Sequence, residues 1–192
     1  MKKTSKFLVQ SIMAVTAAVS LFSITGCGSE ESKAKIGDIG SSDNGSDKEN
    51  EIAYAGIGQY IEGDNWKISL LDAKTYSSIS ENGGFYTDKP ETGKEFLVLF
   101  LEAENISDED DYFNPLYFKA YADDSNVKNT VIMNDVDGYD SASGDVASGK
   151  KIKGYAVWEV NTGWSDFEVS YDDDVWSNKT TACFKISSGD IK

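Results

Sequence analysis

The chain of 192 residues contains no histidine and no arginine. Without histidine it lacks the usual general base at neutral pH and the commonest metal-binding side chain. Without arginine it lacks the planar group that binds phosphate or carboxylate through two parallel hydrogen bonds. A Ser-His-Asp or Cys-His catalytic arrangement cannot be built from these residues. We therefore predict that the protein is not an enzyme.

Positive charge is also scarce, because 33 acidic residues accompany only 18 basic ones and the formal net charge is −15. Nucleic acids and anionic lipid surfaces are bound through clusters of basic side chains. The composition therefore predicts no nucleic-acid partner. An acidic excess of this size favours solubility in an exposed setting.

The N-terminus combines a basic start with a long uncharged run. Lys2, Lys3 and Lys6 precede residues 7–25, which contain no charged side chain. This order is typical of an export signal. The run is borderline in length for a membrane span, which needs about 20 apolar residues, so an uncleaved signal anchor is the alternative.

The uncharged run ends in Ile24, Thr25, Gly26 and Cys27. These four residues resemble the lipobox of bacterial lipoproteins, in which an aliphatic residue and two small residues precede a cysteine. The resemblance implies that Cys27 carries a diacylglyceryl group and that residues 1–26 are removed as a signal peptide. Lipid chains hold a protein at a membrane because each buried CH₂ contributes about 0.8 kcal/mol. We therefore expect a lipid-anchored protein on the extracytoplasmic face of the cell membrane.

The second cysteine, Cys183, lies in residues 181–186, where alternation places its side chain opposite Ala182, Phe184 and Ile186. If Cys27 is acylated, Cys183 has no partner within the chain, and we predict no disulfide. A single cysteine in a strand is interpreted as a small packed residue.

Residues 27–51 are rich in Gly, Ser, Asp, Glu, Asn and Lys. This composition predicts a disordered acidic tether between the lipid and a folded domain over residues 52–192. Ile36 and Ile39 are the only strongly apolar residues of its central part, and a docking turn at these two positions is the alternative.

The domain alternates short apolar and aromatic runs with Gly, Asn and Asp. Such spacing is typical of an all-β protein. The run at residues 96–101 is apolar on both faces, which predicts a central strand covered from both sides. Further strands are predicted at residues 66–76, 116–122, 127–133, 151–160, 167–171 and 180–186. Seven or eight short strands without an amphipathic helix predict a two-sheet antiparallel β-sandwich.

Three segments also carry a resemblance to a known family. They are residues 64–70, residues 93–105, which open on Gly-Lys and end in Asn, and residues 148–160, where a glycine turn precedes a strand. Their order resembles an immunoglobulin-like domain of unknown function that is widespread in lipoproteins of Firmicutes. That family's fold is similar to the mycobacterial immunoprotective extracellular antigen. The resemblance covers residues 60–187 and implies an immunoglobulin-like sandwich without catalytic residues.

An acidic loop is the strongest candidate for metal chemistry. Asp135, Asp137 and Asp140 surround Gly138, and oxygen ligands spaced around a glycine turn suit Ca²⁺. The spacing does not match the EF-hand pattern, since no Glu follows at the required distance. A calcium site and an ordinary solvated turn both remain open.

Two tryptophans are candidates for ligand contact. Trp164 and Trp176 lie beside turn residues near predicted strand ends, where aromatic rings could stack on the sugars of a wall glycan. Packing at the edge of the sandwich is the alternative interpretation.

These observations predict a membrane-anchored lipoprotein whose sandwich is a non-catalytic binding or adhesion module for an envelope protein or glycan. A calcium-stabilised structural domain is the first alternative. An envelope hydrolase is the second, and the absence of histidine and arginine weighs against it.

Overall fold

The computed structural model describes residues 34–40, 52–80, 86–171 and 182–191. Strands dominate the described residues, with short 3₁₀ turns at Pro115–Tyr117 and Ser188–Asp190. The strands are β1 (Lys35–Asp38), β2 (Ala53–Ala55), β3 (Gln59–Glu62), β4 (Trp66–Tyr76), β5 (Ile79–Ser80), β6 (Thr87–Asp88), β7 (Lys94–Asn105), β8 (Asp111–Phe113), β9 (Phe118–Ala122), β10 (Ser125–Val127), β11 (Gly144–Val146), β12 (Lys151–Asn161), β13 (Asp166–Tyr171) and β14 (Ala182–Ser187). Among these residues no helix has the length and apolar character needed to cross a membrane.

Two five-stranded sheets form the sandwich. The first has the order β1-β3-β4-β7-β12 and is antiparallel throughout. The second has the order β10-β9-β13-β14-β2, and its β14–β2 pair is parallel. The pairs β8–β11 and β5–β6 form two small additional ladders. The predicted all-β, immunoglobulin-like two-sheet sandwich is confirmed, with this one parallel pair as an addition.

The main core lies between the two sheets and is rich in aromatic rings. Trp158 of β12 is fully buried and packs edge-to-face on Phe118 and Phe167 of the second sheet, with ring centroids 5.9 and 5.3 Å apart. Edge-to-face geometry brings the positive ring edge to the negative ring face. These contacts fix the distance between the sheets at the centre of the domain.

Strand β7 is buried on both faces, as its sequence predicts. Leu97, Leu99 and Leu101 belong to the core between the sheets. Phe96, Val98 and Phe100 belong to a second cluster on the outer face, where Val136 and Ile132 also pack. Residues 129–142 therefore cover part of the first sheet rather than extending it.

The prediction of a disordered tether over residues 27–51 is wrong at residues 34–40. There β1 pairs with β3, Ile39 N donates to Gly58 O at 2.9 Å, and Ile36 packs against the core. Gly37 lies directly under the Tyr60 ring, where any Cβ atom would collide with the phenol. The polar composition of residues 34–40 does not predict a strand, because the strand is stabilised by tertiary contacts and not by local propensity. The docking turn at Ile36 was the better interpretation.

The prediction of a strand at residues 127–133 is also wrong. Strand β10 ends at Val127, and of residues 128–133 only Asn129 forms a β-bridge, to Trp158. Val131 and Met133 are 80% and 82% exposed. Their apolar side chains point to solvent rather than into a sheet.

Candidate functional site

The predicted calcium loop folds as a tight turn. Val136 and Tyr139 exchange two backbone hydrogen bonds of 3.0 and 2.9 Å. Asp137 and Gly138 between them have φ values of 53° and 80°. Positive φ at both central positions is the pattern of a type I′ turn, which favours Asp-Gly. The glycine that suggested a metal loop is therefore explained by the turn itself.

The carboxylate of Asp137 is already paired within the chain. Its Oδ2 atom lies 2.7 Å from Lys74 Nζ and accepts a hydrogen bond from the Tyr76 hydroxyl at 2.9 Å. These two hydrogen bonds, from Lys74 first and Tyr76 second, lower the pKa of Asp137. The same contact raises the pKa of Lys74. A cation at Asp137 would have to displace an ammonium group.

The structure does not bring Asp135, Asp137 and Asp140 together as a ligand set. Within the described ranges, no three acidic, cysteine or histidine side chains converge closely enough to hold a metal ion. Calcium binding at this loop stays a prediction, and it has no preformed site.

At Trp164 the structure shows the alternative, packing within the sandwich. Trp164 is only 4% exposed, and its ring packs edge-to-face on Phe167 with centroids 6.4 Å apart. Its indole therefore offers little surface for stacking on a sugar ring. Trp176 and Cys27, the other predicted ligand and lipid residues, lie outside the described residues.

One cavity of about 220 Å³ opens beside Trp164, and we call it the polar cavity. Its lysine, Lys94, is paired with Glu91 at 2.7 Å and with Glu159 at 3.8 Å. Asp123 Oδ1 accepts backbone hydrogen bonds from Ser165 and Asp166. The charged side chains of the polar cavity thus already form ion pairs or hydrogen bonds within the chain.

A second cavity of about 180 Å³ has a different character. No charged residue lines it, although 27% of the chain is charged. We call it the uncharged cavity. Its lining residues are Asn114, Pro115, Leu116, Asn129, Thr130, Val131, Ile132, Ser141, Ser143, Tyr155, Ala156 and Val157.

Two loops held against the outer edge of β12 form the walls of the uncharged cavity. Thr130 N donates to Val157 O at 2.7 Å, which fixes the first loop. Ala142 N donates to Tyr155 O at 2.9 Å, and Tyr155 N donates to Asp140 O at 3.0 Å, which fixes the second. The third wall is the 3₁₀ turn, where Asn114 Oδ1 accepts from Leu116 N at 3.0 Å. Backbone hydrogen bonds to β12 therefore position the first two walls, and a side-chain hydrogen bond shapes the third.

Tyr155 is the only residue of the uncharged cavity with a titratable side chain. Its hydroxyl donates to Asn134 O at 3.0 Å. Burial is the main cause that raises its pKa to about 12, with Asp135, Asp88 and Asp140 adding to it. The phenol therefore stays protonated at neutral pH and is a poor general base.

The uncharged cavity also contains an unpartnered donor. Asn129 lines the cavity, and its Nδ2 atom is buried without a hydrogen-bond partner. Trp158 lies opposite Asn129 across the bridge, and its Nε1 atom is likewise buried and unpartnered. Buried donors are nearly always satisfied in folded proteins. A hydrogen-bond acceptor on a ligand would satisfy Asn129 Nδ2.

Sequence reasoning missed the residues of this cavity. They come from four separate segments, so no spacing motif joins them. The one local signal is the apolar run at residues 131–133, which predicts a strand instead.

A family model described as a domain of unknown function, DUF4352, matches residues 56–182. No curated protein matches the chain.

Solved structures share the fold at low sequence identity. ycdA, an inferred lipoprotein from Bacillus subtilis, aligns with a TM-score of 0.51 at 15% identity over 66% of this chain, which spans 38% of that protein. An inferred lipoprotein from Staphylococcus aureus aligns with a TM-score of 0.50 at 13% identity, over 69% of this chain and 90% of the other. The secreted protein MPT63 from Mycobacterium tuberculosis aligns at 9% identity with a TM-score of 0.47, over 71% and 99% of the two chains.

Proposed function

Because the chain belongs to the DUF4352 family, to which no activity is assigned, we propose its function from its own surface. The protein is a lipid-anchored, extracytoplasmic, non-catalytic binding module, and the uncharged cavity is its binding site. The observation that carries this proposal is the combination of a neutral cavity with apolar side chains at its rim. Leu116 and Val131 line the cavity, yet they are 57% and 80% exposed.

Exposed apolar side chains around a concave surface are typical of interaction sites. Single exposed apolar residues are common, but here two converge on the same cavity. The cavity also offers several neutral hydrogen-bonding groups, including Asn114, Thr130 and Ser143. This mixture suits recognition of a neutral ligand.

The absence of a catalytic role is supported by the same lining. The tyrosine of the cavity is held protonated, and its walls contain no carboxylate, lysine or cysteine. General acid–base or nucleophilic catalysis needs such a group within reach of the substrate.

Anchoring through Cys27 is supported by the lipobox-like run and by the fold shared with inferred lipoproteins. Strand β1 begins at Lys35, only eight residues after Cys27. Eight residues span at most about 28 Å when fully extended. The docked strand would therefore keep the sandwich close to the lipid surface, so its ligand is expected in the inner part of the envelope.

Thiol counting tests the anchor. The mature, membrane-extracted protein is expected to react with one equivalent of maleimide after unfolding, because a Cys27 thioether leaves only Cys183 free. In the native protein Cys183 should react slowly, since it is buried and burial raises its pKa to about 11. The matched control is Cys183→Ala, which should show no reactive thiol after unfolding. Two reactive thiols in the unfolded wild-type protein would contradict lipidation.

Retention of envelope material tests the binding role. The full chain in lipid nanodiscs is immobilised and incubated with solubilised envelope fractions from the cells that make it. We expect Val131→Asn to reduce the retained material about five-fold, because it places a polar group at the apolar rim. Met133→Asn is the matched control, since Met133 is equally exposed but does not line the cavity. Equal retention by both variants and the wild type would refute the proposed function.

A further inference from the structure

We propose that the uncharged cavity binds a peptide, by taking up one uncharged aliphatic side chain from a segment whose flanking residues are basic. This inference rests on the proposed function and names the ligand class of the same site.

The size of the cavity favours a single side chain. Sites that enclose a whole small molecule measure about 300–1,000 Å³, whereas the uncharged cavity measures about 180 Å³. A cavity of this size matches the pockets that receive one anchoring residue at a protein interface. The rest of the ligand would lie across the rim formed by Leu116 and Val131.

The lining decides which side chain fits. A charged group placed in the cavity would lose its hydration without meeting an opposite charge, which is strongly unfavourable. Pro115, Ile132 and Val157 offer apolar contact instead. The cavity therefore favours an aliphatic side chain such as leucine.

The aromatic content argues for a peptide rather than a glycan. Sugars are commonly recognised by stacking on an exposed aromatic face. Tyr155 is the only aromatic residue in the lining, and it is 5% exposed with its hydroxyl bonded to Asn134 O. The rim is aliphatic. None of the lining residues presents a ring face to a sugar.

A peptide also supplies the missing acceptor. The buried Nδ2 atom of Asn129 lacks a partner in the free chain, and leaving a buried donor unsatisfied is costly. Each peptide unit carries one carbonyl, so a peptide backbone that reaches Asn129 Nδ2 can accept this hydrogen bond. A purely hydrocarbon ligand such as a lipid tail cannot.

Charge complementarity specifies the flanks of the peptide. The chain carries a formal charge of −15, and Asp140 directly precedes the lining residue Ser141. A chain with this negative net charge attracts basic residues and accelerates encounter. The expected ligand is therefore a peptide with an uncharged anchoring side chain and basic residues on either side of it.

The test uses the full chain in lipid nanodiscs. The binding of three probes is measured by titration with saturation-transfer NMR. They are the peptide acetyl-Lys-Gly-Leu-Gly-Lys-amide, the same peptide with glycine in place of leucine, and tri-N-acetylchitotriose. We expect the leucine peptide to bind about five-fold more tightly than the glycine peptide. Val131→Asn should abolish most of that difference, and Met133→Asn should preserve it.

The remaining outcomes overturn the inference in distinguishable ways. Equal affinity for the leucine and glycine peptides shows that no side chain enters the cavity. Binding of the chitotriose that depends on Val131 makes the ligand a glycan and leaves the binding module intact. If no probe binds and Val131→Asn also retains envelope material normally, the inference and the proposed function both fail.

Discussion

Asn105→Leu is expected to lower the free energy of unfolding by about 3–5 kcal/mol. Asn105 ends β7, is fully buried, and uses both ends of its amide. Its Nδ2 atom donates to Glu109 O at 2.8 Å and to Val146 O at 2.9 Å. Its Oδ1 atom accepts from Ser107 N at 3.0 Å and from the Ser107 hydroxyl at 2.7 Å. Leucine has the same number of side-chain heavy atoms but offers none of these hydrogen bonds.

Urea denaturation followed by tryptophan fluorescence measures this effect, and a melting temperature lower by roughly 10 °C should accompany it. Asn126→Leu is the matched control. Asn126 is exposed and makes one long hydrogen bond of 3.3 Å to Ala120 O, so its replacement should cost less than about 1 kcal/mol. Similar losses for the two variants would show that the buried amide network is not the source of stability.

Asn105 shows which structural features can be predicted from the sequence and which cannot. A strand ending in asparagine was visible as part of the family resemblance, and the strand itself was predicted from its apolar run. The reason for the asparagine was not visible. Its partners Glu109 and Val146 lie in a loop and in β11, and only the folded chain brings them to one point.

The errors share the same physical origin. Strand β1 was overlooked because residues 34–40 are mostly polar, and its docking depends on the Tyr60 ring and on pairing with β3. A strand is predicted at residues 127–133, but local sequence cannot show whether a neighbouring strand is available for pairing. For Trp164 the sequence leaves ligand contact and edge packing both open, and the structure places its ring in the core.

The cavity was harder to predict from the sequence than any of the strands. The chemistry of its lining is ordinary, with serine, threonine, asparagine and aliphatic residues, and none of these types signals a site alone. What distinguishes the cavity is an absence of charge among the lining residues of four segments that are separate in sequence. Such a property exists only in the folded protein. By contrast, the composition of the acidic loop predicts a metal site, whereas in the structure its Asp137 pairs with Lys74.

Gly154→Ala is expected to cost about 2–4 kcal/mol and to disrupt the uncharged cavity as well. Gly154 lies in β12 beneath the loop at residues 140–142, and an added Cβ would lie 2.5 Å from Asp140 O and 2.6 Å from Ala142 N. Both obstacles are backbone atoms and cannot rotate away. The loop would have to move outward, losing its two hydrogen bonds to Tyr155 and shifting Ser141 and Ser143 in the cavity wall.

Gly144→Ala is the matched control in the same region. There the added Cβ would meet only Ile152 Cδ1 at 3.5 Å, an ordinary contact. Thermal unfolding should separate the two variants by several degrees. Titration with the leucine peptide should show weakened binding only for Gly154→Ala. A Gly154→Ala protein as stable as the Gly144→Ala control would mean that the loop tolerates displacement. If that variant also bound the peptide normally, the wall at residues 140–143 would not shape the site.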